Sequence, residues 1–310
     1  MSRIHEALKK AEQERAILGT EPGRLPADPI LGPSPIEKAA TVAEEDVFVP
    51  PSTPLPPRGD YLRFDDLRAN CAHPAWHPDP NSSVFFNAGL SPLGAEQFRT
   101  LRSRLYQLRS NQSLRTILVT SALPGEGKTF VTSNLAHAIV RQPDRRALII
   151  DADLRCSRLH LPLGAPSAPG LTEYLRGEAD ELAIVQHGQD GNLCLIPGGA
   201  EVTNPSELLA NGRLKILLNR LAPVFDWVIL DSPPCLPVAD ASALADLCDA
   251  VLLVVRAAST PAETAQRACQ ELQGRNVVGV VLNATEEGSN YSSYYYPEYG
   301  NNGRVKRKVQ

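Results

Sequence analysis

The sequence has one methionine, two tryptophans and only 5% aromatic residues, and it offers no excess of positive charge. A formal net charge of −4 excludes a general basic field, so nucleic acid is not expected as a partner. Nowhere is there an uninterrupted apolar run of about 18 residues, which argues against a transmembrane helix. The opening residues MSRIHEALKKAEQERAIL carry charges throughout and lack the apolar stretch of a secretory signal. Six cysteines, at positions 71, 156, 194, 235, 248 and 269, are scattered without paired spacing, so no disulfide framework is implied and a reducing, cytoplasmic setting is expected.

What is there divides the 310 residues into four stretches. In residues 1–20, Ile4, Leu8, Ala11 and Leu18 recur at helical spacing, which predicts a short amphipathic N-terminal helix. Residues 21–88 are read as a flexible, disordered Pro-rich linker, because Glu21 to Pro80 holds 13 of the 27 prolines and few aliphatics. Cys71, His73 and His77 within it mimic a metal cluster, but one cysteine without a second pair assigns no metal. Residues 89–285 are read as one folded domain, and residues 286–310 as a flexible tail rich in tyrosine.

The texture changes at Ser91, where SPLGAEQFRTLRSRLYQL predicts a capped helix. Six apolar runs then alternate with helical stretches: Thr116 to Thr120, Ala147 to Asp151, Leu193 to Pro197, Trp227 to Asp231, Val251 to Arg256 and Val277 to Asn283. Continuous apolar strands separated by helices are buried on both faces. The expected fold is therefore α/β, a three-layer α/β/α arrangement with a mostly parallel central sheet.

Between the first strand and the next helix lies ALPGEGKT, Ala122 to Thr129. It follows G-x-x-x-x-G-K-[ST] except for Ala122 in place of the first glycine. Loop amides and the helix N-terminus converge on phosphates there, so Pro124, Gly125, Glu126, Gly127, Lys128, Thr129 and Phe130 are expected to bind ATP. Mg²⁺ calls for few protein oxygens beside substrate phosphate, and carboxylates end two neighbouring strands: Asp151 and Asp153 in LIIDADLR, Asp231 in VILDSPP. Thr129, Asp153 and Asp231 are the candidate metal ligands. Cys235, beside the last of these, reads as buried packing.

Together these motifs resemble the bacterial tyrosine kinases of capsule and exopolysaccharide synthesis, P-loop relatives of the MinD and ParA ATPases. SALPGEGKT is similar to their Walker A motif, ALIIDADLR to the second, Walker A′ motif, and VILDSPP to Walker B. The likeness spans roughly Ser91 to Tyr299. It departs from MinD and ParA at Leu123, where their loop carries a signature lysine. The resemblance implies a P-loop NTPase that autophosphorylates tyrosine, with Lys128, Asp151 and Asp153 catalytic and Asp151 as the base for the acceptor hydroxyl. It implies ring assembly through Glu96, Arg99 and Arg102 of EQFRTLR. Five of the eight tyrosines, Tyr291, Tyr294, Tyr295, Tyr296 and Tyr299, become phosphoacceptors. It also implies a membrane polysaccharide co-polymerase that recruits and activates the chain at the inner face of the plasma membrane, with other proteins of polysaccharide synthesis as further substrates. A partner-positioning MinD- or ParA-like ATPase and a nucleotide-gated assembly regulator are the alternatives.

Overall fold

The structure, a computed structural model, describes residues 62–86, 92–188 and 191–285. The N-terminal helix expected in residues 1–20 and the tyrosine tail, 286–310, lie outside the described residues.

The described residues begin with α1 (Phe64–Asn70), a 3₁₀ turn at Pro80–Ser82, and the long α2 (Pro92–Asn111). Strand β1 (Thr116–Ser121) leads through the glycine loop into α3 (Lys128–Val140), followed by β2 (Ala147–Asp151). Short helices α4 (His160–Leu163), α5 (Leu171–Arg176) and α6 (Glu181–Ile184) precede β3 (Gln186–His187) and β4 (Leu193–Ile196). Then come α7 (Pro205–Ala210), α8 (Arg213–Leu221) and β5 (Trp227–Asp231). The last elements are α9 (Asp240–Ala245), β6 (Ala250–Arg256), α10 (Ala262–Glu271) and β7 (Val277–Asn283).

Among the described residues, seven strands form one sheet in the order β3-β4-β2-β5-β1-β6-β7. Every pairing is parallel except β3 with β4. The apolar runs explain this: Leu118, Leu148, Ile150, Val228 and Leu230 enter one core, while Ile117, Val119, Ile149, Trp227 and Ile229 enter the other. Strands with two apolar faces need helices on both, and they have them. On the first face α8 contributes Leu214, Leu217, Leu218 and Leu221, an i, i+3, i+4, i+7 stripe. On the second, α2 supplies Phe98 and Leu105, and α3 supplies Val131, Leu135 and Ile139. The expected three-layer fold is the observed one.

The reading of residues 21–88 as linker fails for its last part. Phe64, Leu67 and Cys71 are buried in the first core and Trp76 in the second. Ala72 pairs with Gln186 beside the sheet, and the Asn134 side chain of α3 accepts from the Val84 amide at 2.9 Å and donates to Ser82 O at 3.2 Å. A few well-spaced large apolar residues anchor a proline-rich path that has no periodicity to announce it. Each such burial contributes roughly 1.5–3 kcal/mol.

Candidate active site

Three features converge at the C-terminal ends of the central strands, where open α/β sheets bind ligands. The loop from Ala122 to Gly127 turns tightly through Gly125 (φ 81°) and Gly127 (φ 97°), left-handed values that glycine adopts without strain. Gly127 caps the start of α3 without a side-chain hydrogen bond, so the first amides of that helix are free to meet an anion. Lys128, the first residue of α3, is buried.

Beside the loop, β2 and β5 place Asp151 and Asp231 directly opposite one another. Both carboxyls are almost fully buried. Burial, together with the neighbouring Asp151 charge, pushes Asp231 up to about 8, and burial pushes Asp151 up to about 6. Desolvation also raises Asp153, against the opposing charge of Lys128. Thr129 Oγ1 donates to Asp231 Oδ2 at 2.6 Å, while the buried Asp231 Oδ1 has no hydrogen-bond partner. An orphaned carboxylate oxygen beside a threonine hydroxyl, in a pocket that disfavours bare negative charge, is the donor set of a hard divalent cation. Thr129 and Asp231 therefore fit Mg²⁺.

Asp151, the base that the resemblance implies, is held by three donors. Its Oδ2 accepts from Ser157 Oγ at 2.8 Å and the Leu159 amide at 2.9 Å, and its Oδ1 from the Asp153 amide at 3.2 Å. Asp153 is only half-buried and accepts from the Cys156 amide through Oδ1 at 3.1 Å. The fully engaged carboxylate shapes the turn, and the half-buried one is accessible.

The side chains of Glu126 and Phe130 are engaged within the protein. The Glu126 side chain turns inward, accepting from the Leu123 amide at 2.7 Å and from the Thr260 hydroxyl. The Phe130 ring packs edge-on against Phe98 of α2, with centroids 5.9 Å apart. Pro124 and Gly125 lie exposed at the tip of the loop. Glu96 and Arg99 pair on the surface at 2.8 Å, but Arg102 points into the domain, donating to Ala138 O at 2.6 Å. The structure thus separates the three motif residues.

Several residues of the site escaped sequence reasoning. Arg256 donates to Gly125 O at 3.1 Å and Asn283 to Glu126 O at 2.9 Å, bracing the loop from the ends of β6 and β7. Arg155 ties the turn after β2 to α9 through Asp240 at 2.7 Å and to α7 through Ser206 at 2.8 Å. Burial pushes the Asp240 carboxyl up, but hydrogen bonds from Arg155 and Ser206 outweigh it and hold the group below its ordinary value.

Residues 114–275 match a family model described as cellulose biosynthesis protein BcsQ. The tyrosine-protein kinase YwqD of Bacillus subtilis is 32% identical over 218 residues, 70% of this chain and 90% of YwqD. The chain belongs to the bacterial tyrosine kinase family. Tyrosine-protein kinase etk of Escherichia coli K12 is 36% identical over 190 residues, 61% of this chain, and the match spans only 26% of etk's own length. Among solved structures, the kinase domain of Escherichia coli ETK superposes with a TM-score of 0.60 at 35% identity, over 63% of this chain and 77% of that one. The BceF tyrosine kinase domain gives 0.59 at 30%, over 64% and 81%. These family members share the P-loop architecture described above. Among the described residues, no helix is long and apolar enough to cross a membrane.

Proposed function

We propose that this chain is an ATP-dependent protein tyrosine kinase that transfers phosphate to its own C-terminal tyrosines, Tyr291, Tyr294, Tyr295, Tyr296 and Tyr299, in trans between subunits. One observation carries the reading: the phosphate loop with Lys128 and Thr129 stands against the buried carboxyls of Asp151 and Asp231, with Asp153 accessible beside them. The kinase names of its relatives support it.

ATP is the substrate whose phosphates lie on the amides of the glycine loop and the start of α3. Lys128 offsets the charge that spreads over the transferred group, and such electrostatic positioning supplies most of the catalysis in phosphoryl transfer. Thr129 and Asp231 would hold Mg²⁺, which when bound neutralises the phosphate oxygens. Asp153 takes the proton of the acceptor tyrosine hydroxyl. Asp151, already holding three donors, orients the turn that carries Asp153.

Subunits associate through the exposed Glu96 and Arg99, and Arg102 fixes α2 on α3 so that this pair is presented. Each phosphate adds roughly −1.5 to −2 charges, so successive modification of the tail loosens the assembly. A membrane polysaccharide co-polymerase recruits the chain to the inner face of the plasma membrane and stimulates it, coupling the kinase to exopolysaccharide or capsule synthesis and chain length. Other tyrosine-phosphorylated proteins of that system are further substrates.

The alternative is a partner-positioning ATPase of the MinD and ParA type, which the matching family model keeps in play. Leu123, exposed where that type carries its signature lysine, speaks against it. Incubation with γ-labelled Mg-ATP separates the two. Label on the protein, lost in Lys128→Met, supports the kinase; released phosphate with unlabelled protein supports the ATPase.

A further inference from the structure

β7 ends the sheet. It pairs with β6 on one side, and among the described residues no strand pairs with its other edge. Every residue of β7 is at least partly exposed, whereas β1, β2, β4 and β5 are buried throughout. Val280 and Leu282 are 56% and 59% exposed, among the few large apolar side chains of the described residues left open to solvent. VVGVVLN holds neither a charge nor a proline to blunt the edge. A long apolar strand edge of this kind is a template for another strand, and proteins ordinarily cover it. A groove of about 390 Å³ runs beside it, lined by Leu93, Leu101 and Arg104 of α2 and by Val280, Leu282 and Thr285.

The chain itself continues from this groove. Ala284, directly after β7, takes a left-handed φ of 55°, which turns the backbone out of the strand. Next come Glu286 and Glu287, then Gly288, Ser289 and Asn290, residue types that favour turns, and then YSSYYY, Tyr291 to Tyr296, before Pro297. Tyrosine is enriched in strands and pairs well with β-branched neighbours, while proline ends a strand. Because side chains alternate along a strand, Tyr291 and Tyr295 share one face and Tyr294 and Tyr296 the other. Either register lays tyrosine rings over Val280 and Leu282.

We propose that the free edge of β7, with the groove beside α2, is the docking surface for this chain's own segment 286–310, which adds to the sheet as an antiparallel eighth strand. Docking withholds the tyrosines from neighbouring subunits and covers the aggregation-prone edge. It also occupies the groove that Glu96 lines, so a docked tail competes with association through α2. Release by phosphorylation rests on the kinase reading above: a phosphorylated ring cannot be laid on an apolar face without desolvating its charge, so the modified tail stays away.

Hydrogen–deuterium exchange of the full chain without nucleotide, at two protein concentrations, tests the docking. Amides of residues 291–296 are expected to exchange at least about tenfold slower than the unstructured rate. That protection should be independent of concentration and lost in Val280→Lys/Leu282→Lys. In a chain ending at Thr285 the amides of β7 should exchange faster. Tail exchange at the unstructured rate overturns the proposal, as does protection that grows with concentration, which would assign the edge to a second copy. β7 exchange unaffected by removal of the tail also overturns it. Subsequent incubation with Mg-ATP should abolish the tail's protection. Absence of any phosphate would contradict the kinase reading and leave the docking result standing.

Discussion

The Asn283 side-chain amide donates to Glu126 O at 2.9 Å, tying the last residue of β7 to the middle of the phosphate loop. A Cβ on residue 127 would collide with that same amide, and Gly127 holds a φ of 97°. Glycine is therefore required there twice, by backbone angle and by the brace. Asn283→Ala should weaken Mg-ATP binding by about tenfold, because the loop must then be ordered by the ligand itself. Gly127→Ala should abolish binding in the same fluorescent-nucleotide titration, with the circular dichroism of both variants unchanged.

The paired carboxyls predict a pH dependence. Asp151 and Asp231 keep their protons to about 6 and about 8 in the folded chain, above the ordinary value of 3.8. The folded state thus binds more protons than the unfolded one between about pH 4 and pH 8, and stability falls as pH rises through that window. Without nucleotide and metal, the melting temperature should be lower at pH 8 than at pH 6. Asp231→Asn, which removes the buried charge, should melt roughly 3 °C or more above the parent at pH 8. Equal melting temperatures at the two pH values would contradict this electrostatic account.

Arg155 reaches Asp240 and Ser206, so it holds the turn bearing Asp153 against α7 and α9. Arg155→Ala should lower the rate of transfer about tenfold through misplacement of the acceptor side of the site. Nucleotide affinity should stay within about twofold, because the phosphate loop is braced from β6 and β7 instead. A parallel loss of nucleotide affinity would place Arg155 in ATP binding.

Leu67 is fully buried in the first core. Leu67→Ala should cost about 2–5 kcal/mol in urea unfolding, as for other buried leucines. An effect below about 0.5 kcal/mol, the level of surface substitutions, would mean that α1 is not an integral part of the domain.

The central strands are legible in the sequence because a parallel strand buried on both faces is an unbroken apolar run, and Ala147–Asp151, Trp227–Asp231 and Val277–Asn283 have the expected bounds. Two-residue β3 leaves no such run. The phosphate loop and the strand-end aspartates are legible because backbone geometry restricts which residues serve there. Residues 62–86 are not, since Phe64, Leu67, Cys71 and Trp76 are fastened by tertiary contacts amid proline and histidine. Nor are the braces: Asn283 and Glu126 lie 157 residues apart, and Arg155 and Asp240 lie 85 apart. Phe130 and Arg102 sit within recognised motifs, yet their side chains serve packing between α2 and α3, which spacing alone does not reveal.

The central claim is transfer of phosphate to the tail of another subunit. Full-length Lys128→Met, intact in its tail, is mixed with an active chain in which Tyr291, Tyr294, Tyr295, Tyr296 and Tyr299 are all phenylalanine, and the products are mapped by peptide mass spectrometry after addition of Mg-ATP. Phosphate on the five tyrosines of the Lys128→Met chain, absent when that chain is incubated alone, is the predicted result. ADP formation with every tail tyrosine unmodified would contradict the account.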